Sequence, residues 1–326
     1  MVDLDVKDRK MLYYLSKNGN ISHTQLGKLV GMSKNTVSYR IKQLVKEGII
    51  TNFSSVINTG ALECTSFTMF LKFNKNPYKN KEILDYFKEH PFSIWVVTLS
   101  GTFDLYVEFI TKNLDHLNNI ITEIKEHFGE DLNYYETQLL KETLRVEHLI
   151  GDIYKNLELE ELKPRKREFK SLKLDELDKK ILKIISLNSD KSLIDIAKEA
   201  KSSWDVVRYR LKQMENAGII LNYFPEININ KLGYAEFVGC LKLHNISPEK
   251  MKKLTNVVKN NKHISYAFTS LNVNAILFNC AFKNINELDI FLSSLQEEFK
   301  ENLVAIDYYL VKEQLKFDLF PTGMLV

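Results

Sequence analysis

The chain repeats itself without a gap. Residues Leu4–Asn52 align with Leu174–Asn222 at a constant offset of 170, and 19 of the 49 positions are identical. The identities include Asp8/Asp178, Tyr39-Arg40/Tyr209-Arg210, Lys42-Gln43/Lys212-Gln213 and Gly48-Ile49-Ile50/Gly218-Ile219-Ile220. Leu139–Leu144 matches Leu310–Leu315 at offset 171, so the duplication spans nearly the whole chain. A repeat of this kind must fold the same unit twice. Any function read from one copy has to be checked at the matched positions of the other.

A length of 326 residues exceeds one ordinary core and predicts two or more domains. Hydrophobic content of 44% with 27% charged residues describes a soluble globular chain. The net charge of +3 is too small to indicate nucleic-acid binding by itself. Cys64, Cys240 and Cys280 are far apart and odd in number, which predicts reduced, buried thiols and neither a disulfide frame nor a zinc site. The opening MVDLDVKDRK is polar and unlike a signal peptide, and no apolar run reaches the ~18 residues of a membrane span. A cytoplasmic protein with no membrane partner is expected.

Leu4-Asp5, Asp8, Met11, Leu12 and Leu15 have helical spacing, with acids at the N-terminal end. Ser22 caps a second helix to Val30, Gly31-Met32 makes a tight turn, and Ser33 caps a third helix that Gly48 ends. Ile49-Ile50 and Val56 then read as strands of a small ribbon. This is a winged helix-turn-helix. The next segment reads as strand Ser66–Phe73, helix Lys79–His90, strands Ile94–Ser100 and Asp104–Ile110, helix Leu114–Phe128 and strand Tyr134–Leu144, which is a βαββαβ unit. The predicted class is therefore α+β. Two winged helix-turn-helix domains (1–56 and 174–227) alternate with two ferredoxin-like, ACT-like βαββαβ domains (61–145 and 232–318). Residues 146–173 read as a connector whose basic run, Lys163-Pro164-Arg165-Lys166-Arg167, is either a solvated linker or a strap along DNA phosphate.

Leu26–Ile50, LGKLVGMSKNTVSYRIKQLVKEGII, resembles the helix-turn-helix of the Lrp/AsnC (feast/famine) family of prokaryotic, especially archaeal, transcription regulators. The βαββαβ unit resembles that family's effector domain, and Ser100-Gly101-Thr102-Phe103-Asp104 resembles its Gly-x-x-Asp turn. The resemblance implies double-stranded DNA as partner and an amino acid as effector. It also implies a homo-oligomer built from dimers, here from pseudo-dimers that a single chain supplies.

On the third helix, Val37, Ile41 and Leu44 share one face and should be core. The opposite face holds Asn35, Tyr39, Lys42 and Gln43, residue types that suit base edges. Ser33, Lys34, Thr36, Ser38 and Arg40 flank them and suit phosphate contacts. Two alternatives stay open: Tyr39 packs over the helix pair, and Arg40, repeated as Arg210, braces Asp8 and Asp178 instead of phosphate. In the second copy, Arg208, Arg210, Lys212 and Gln213 keep binding capacity. Yet Asp205 replaces Asn35, Trp204 replaces Lys34, and Lys201 replaces Gly31. Residues 1–56 carry nine basic and four acidic side chains, net +5, whereas 171–226 carry ten and nine, net +1. The first copy is expected to dominate DNA binding.

Gly101 permits a sharp turn, and the carboxylate of Asp104 would hold an amino group; the bland alternative is a plain turn with a solvated Asp. The second half has neither residue in Leu271-Asn272-Val273-Asn274-Ala275. The seven histidines show no metal spacing and no phosphate-binding glycine loop is present, so no cofactor, metal site or catalytic residue is predicted. Siroheme decarboxylases share this architecture, but the expected His-Tyr-Arg cluster is missing from Phe92–Val96 and from His263–Ala267. The chain is expected not to be an enzyme. A regulator partner that has lost DNA binding in its second half is the remaining alternative.

Overall fold

A computed structural model describes residues 4–162, 172–271 and 274–325. The side chains of Asp5, Ser22 and Ser33 accept N–H bonds from Asp8, Gln25 and Thr36. They thereby start α1 (Val6–Lys17), α2 (His23–Val30) and α3 (Lys34–Lys46). Gly31, at φ +67°, makes the tight turn between α2 and α3. β1 (Ile50–Ile57) follows. The first sheet copy comprises β2 (Thr65–Phe73), α4 (Lys81–Glu89), β3 (Ser93–Ser100), β4 (Leu105–Thr111), α5 (Leu114–Phe128) and β5 (Leu132–Val146). A single turn, α6 (Gly151–Tyr154), comes next. The second copy has α7 (Glu176–Leu187), α8 (Leu193–Ala200), α9 (Trp204–Asn216) and β6 (Ile220–Ile227). It ends with β7 (Ala235–Leu243), α10 (Pro248–Asn260), β8 (Ile264–Ser270), β9 (Ala275–Phe282), α11 (Ile285–Phe299) and β10 (Leu303–Phe317). The α+β class and the alternation of winged-helix and βαββαβ segments are those read from the sequence.

Contacts gather these segments into two compact units, each drawing on both halves. One comprises 1–64, 153–232 and 318–326, and the other 65–152 and 233–317. In the segment read as a connector Leu149, Ile150 and Ile153 are buried, while Glu158, Glu160 and Glu161 are exposed. Its basic run, 163–167, lies outside the described residues.

In the first unit β1 and β6 pair antiparallel, with Ser54 opposite Phe224 and Ser55 opposite Tyr223. Sequence predicts a ribbon inside each copy; instead each copy gives one continuous strand, and the ribbon forms between copies. Thr51–Ile57 holds no glycine or proline to turn it, so it stays extended and takes the equivalent strand as its partner. Contacts cross in both directions. Gly19 N–H donates to Tyr223 O at 2.6 Å, and Ser189 N–H to Phe53 O at 2.7 Å. Asn52 Nδ2 donates to Leu187 O, and Asn222 Nδ2 to Ser16 O. A Cβ at Gly19 would stand 2.6 Å from the Tyr223 carbonyl, so the close approach requires glycine there. A later segment packs back on the first helix of each copy. Arg9 Nε donates to Ile153 O and Tyr14 OH accepts from Glu160 N–H, while Lys183 pairs with Asp318.

The second unit is a closed barrel ordered β10-β3-β4-β2-β5-β8-β9-β7, and every neighbouring pair is antiparallel. Strand alternation sorts its residues into two layers. Phe67, Met69, Leu71 and Val107 face α4 and α5 through Ile83, Phe87, Ile120 and Ile124. Leu241, Ile264 and Phe278 pack with Leu254, Val258 and Phe291 from α10 and α11. The alternate residues Phe70, Trp95, Val97, Tyr106, Val238, Leu277 and Val311 form a separate core inside the barrel.

Candidate nucleic-acid interface

Burial of Val37, Ile41 and Leu44 fixes which face of α3 looks outward. Lys34, Asn35, Thr36, Tyr39 and Lys42 are exposed on it, with Ser38 and Gln43 partly so. Tyr39 is 63% exposed, which settles its alternative: it does not pack over the helix pair. Ser33 Oγ lies 2.8 Å from Thr36 Oγ1 and caps the helix.

Arg40 behaves otherwise. Its Nη1 stands 2.6 Å from Asp5 Oδ2 and 2.8 Å from Asp8 Oδ1. Partial burial works to raise the Asp5 carboxyl, but the Asp8 N–H and Arg40 outweigh it and hold it below its ordinary value. Arg210 repeats the arrangement, with Asp175 at 2.8 Å and Asp178 at 3.1 Å. Asp178 is 1% exposed, and burial pushes its carboxyl up despite the guanidinium beside it. Both arginines therefore brace the third helix of a copy to its first helix, which is the bracing alternative.

The face of α9 is built differently. Arg208 Nη2 reaches Asp205 Oδ1 at 3.2 Å, and the guanidinium lies 4.9 Å from the centre of the Trp204 ring. Gln213 Nε2 donates to Tyr209 OH at 3.0 Å, and Tyr209 is 61% exposed. Lys212 is exposed. Lys201 takes the left-handed conformation of Gly31, at φ +55°, a strained place for a side chain.

At the proposed effector turn, Gly101 has φ +129° and a Cβ there would lie 3.3 Å from the Tyr309 ring. Asp104 is nearly buried. Its Oδ1 accepts from Lys72 Nζ at 3.0 Å and its Oδ2 from Phe73 N–H at 2.9 Å, so the solvated Asp of the bland reading is not what is found. In the matching turn of the second half, residues 272–273 lie outside the described residues.

One pair was invisible in the sequence. His148 Nδ1 lies 2.8 Å from Tyr266 OH, because β5 pairs with β8 and sets Val146 opposite Tyr266. His263, the histidine nearer in sequence, instead stacks on Phe282 and contacts Ala281 O. No local signal marks His148, since its neighbour comes from a strand more than a hundred residues away. Among the described residues no group of His, Cys, Asp and Glu is placed to hold a metal, and no helix is long and apolar enough to cross a membrane.

A tight turn leading into an exposed, donor-rich helix, present twice, defines a winged helix-turn-helix protein. The family model for winged helix-turn-helix DNA-binding matches at residues 4–51 and 174–220. The HTH-type transcriptional regulator FL11 of Pyrococcus furiosus is 30% identical over 118 residues, which span 36% of this chain and 78% of that protein. Ptr1 of Methanocaldococcus jannaschii, another HTH-type transcriptional regulator, is 32% identical over 120 residues, 37% of this chain and 80% of its own. The chain belongs to the Lrp/AsnC family, and it is a DNA-binding transcriptional regulator that carries the family unit in duplicate.

The siroheme decarboxylase NirDL, solved with an iron-uroporphyrin III analogue, has the same fold over 98% of this chain and 96% of its own, at TM-score 0.64 and 14% identity. This overturns the expectation that the chain is not an enzyme. An enzyme is built on this whole-chain architecture, so the architecture does not separate regulators from enzymes. Phe92–Val96 and His263–Ala267 are short local segments, whereas the His148–Tyr266 pair is assembled from distant ones.

Proposed function

We propose that the chain acts as an intramolecular pseudo-dimer that reads two unequal DNA half-sites, with α3 leading and α9 assisting. The observation that carries this is the difference between the two outward faces. Lys34, Asn35, Tyr39 and Lys42 are exposed on α3, whereas on α9 Asp205 and Trp204 engage Arg208. Asn35, Tyr39, Lys42 and Gln43 would meet base edges, and Ser33, Lys34, Thr36 and Ser38 the backbone. Lys212 and Gln213 would make the weaker second contact, with Arg40, Arg208 and Arg210 near the phosphates but tied to their acids. The β1–β6 pairing, which joins the two copies in one unit, supports the pseudo-dimer. Selection-based mapping of bound DNA on the wild type, Lys42→Ala and Lys212→Ala tests the order of importance. Loss confined to Lys212→Ala would sink it.

The turn at Gly101 and Asp104 is the proposed effector contact, with a ligand amine replacing Lys72 Nζ on Asp104. Titration with an amino-acid panel checks this, and binding untouched by Asp104→Ala would remove it. Assembly of such pseudo-dimers into a homo-oligomer is read from mass measurements by light scattering. The His148–Tyr266 pair and the fold of NirDL favour a second reading, tetrapyrrole binding or siroheme decarboxylation. Incubation with siroheme, followed spectroscopically, decides it; the absence of both turnover and a bound spectrum would exclude that chemistry.

A further inference from the structure

The barrel has a polar inner end that neither the DNA face nor the Gly101–Asp104 turn uses. In the first half, antiparallel pairing sets Glu108 of β4, Thr68 of β2 and Gln138 of β5 in one cross-strand row. Phe70 and Tyr106, each two residues along from a member of that row, belong to the interior core, so the row faces inward. In the second half the matching row is Asn279, Val238 and Tyr309, and Glu236 lies two residues before Val238 on the same face of β7. The copies have exchanged chemistry. Ser66 matches Glu236 and Glu108 matches Asn279, so each half offers one carboxyl and one neutral polar group. Four antiparallel steps separate β2 from β7 around the ring, so both strands run the same way and both carboxyls lie toward the same end.

These groups are poorly satisfied. Gln138 is 4% exposed and its Oε1 has no hydrogen-bond partner. Glu236 has neither a hydrogen bond nor an ion pair among the described residues, and burial alone pushes its carboxyl up to about 7. Burial likewise raises Glu108 to about 7, against a hydrogen bond from Ser66. Neither carboxyl is raised by the other, so they are two separate anchors, not one shared-proton pair. An orphan buried acceptor beside a half-buried acid that has no partner is costly, and a partner that brings N–H donors and positive charge relieves both. Among the described residues no lysine or arginine acts on either carboxyl, so none of them would receive a ligand's carboxylate there.

We propose that the inner end of the barrel binds a small aliphatic diamine or polyamine, with its ammonium groups on Glu108 and Glu236 and an N–H bond to Gln138 Oε1. Two anchors on different half-sheets favour a dication over a monoamine. The absence of a nearby cation separates this ligand from the amino acid proposed for Asp104.

Isothermal titration of the full chain with putrescine and with spermidine, at about pH 8, tests the proposal. The wild type should bind saturably, and n-butylamine should bind more weakly. Glu108→Gln and Glu236→Gln should each weaken diamine binding roughly tenfold or more. Asp104→Asn should leave it unchanged. Gln138→Met removes the orphan acceptor without altering charge, so it should weaken binding while melting no lower than the wild type. No saturable binding by the wild type overturns the proposal. So does an affinity indifferent to both glutamine substitutions, which would place the cation on the outer surface.

Discussion

The two winged-helix copies differ in what their shared scaffold supports. Arg40 ties α3 to Asp5 and Asp8, and Arg210 ties α9 to Asp175 and Asp178, by the same geometry. Beyond that brace the surfaces part. The face of α3 exposes Lys34 and Asn35 where α9 has Trp204 and Asp205. The charge balance follows, +5 against +1. A helix can keep its place in a fold while its outward surface changes, because buried and outward positions are constrained separately.

The brace is the first place to break the comparison. Arg210→Ala leaves Asp178 buried and unpaired, and should cost about 2–4 kcal/mol in denaturant unfolding, discounted for the partly exposed guanidinium. Arg40→Ala leaves the more exposed Asp5 and Asp8 and should cost about half as much. Equal losses would mean that the two braces are equivalent. Next in size, Lys34→Ala combined with Lys42→Ala should lower DNA affinity about tenfold and flatten its salt dependence by up to about two charges. Lys212→Ala should do clearly less, as read by fluorescence anisotropy across a salt series.

The barrel carboxyls give a pH test of the same asymmetry. Folding raises Glu108 and Glu236 from near 4.5 to about 7, so the folded state holds their protons more tightly than the unfolded chain does. Their contribution to stability is therefore greatest below about pH 4.5, falls as pH rises, and has gone by about pH 7. The neighbours are Ser66, Thr68 and Tyr106 at Glu108, and Cys280 at Glu236. Glu108→Gln and Glu236→Gln should raise the melting temperature at about pH 8 and leave it nearly unchanged at about pH 4. The smallest expected effect is Lys201→Gly, which makes the second turn like Gly31 and should stabilise by under about 1 kcal/mol. A loss there would show that the Lys201 side chain has its own contact.

Much of the scaffold was legible. The spacing of Val37, Ile41 and Leu44 predicts the buried side of α3, and Ser22, Ser33 and Gly48 mark helix ends where the structure has them. Local chemistry decides those features, so local sequence reveals them. Partners were not legible. Ile49-Ile50 and Val56 read as strands of a local ribbon, and nothing in them names β6 as the mate. The Arg40 guanidinium could be assigned equally to phosphate or to Asp8 until the distances were known. His148 and Tyr266 meet only because β5 and β8 are neighbours.

The sequence by itself determined that one regulator unit is present twice and that its copies diverge at the reading helix. Both follow from matched positions, where periodicity, caps and charge can be compared directly. Only the tertiary structure decided that the copies interleave, with winged helices in one unit and both sheets closed into one barrel. Strand pairing joins backbone groups whatever side chains they carry, so the partner of a strand edge is fixed by the whole fold. The inner row of Glu108, Thr68 and Gln138 exists only once those edges have met.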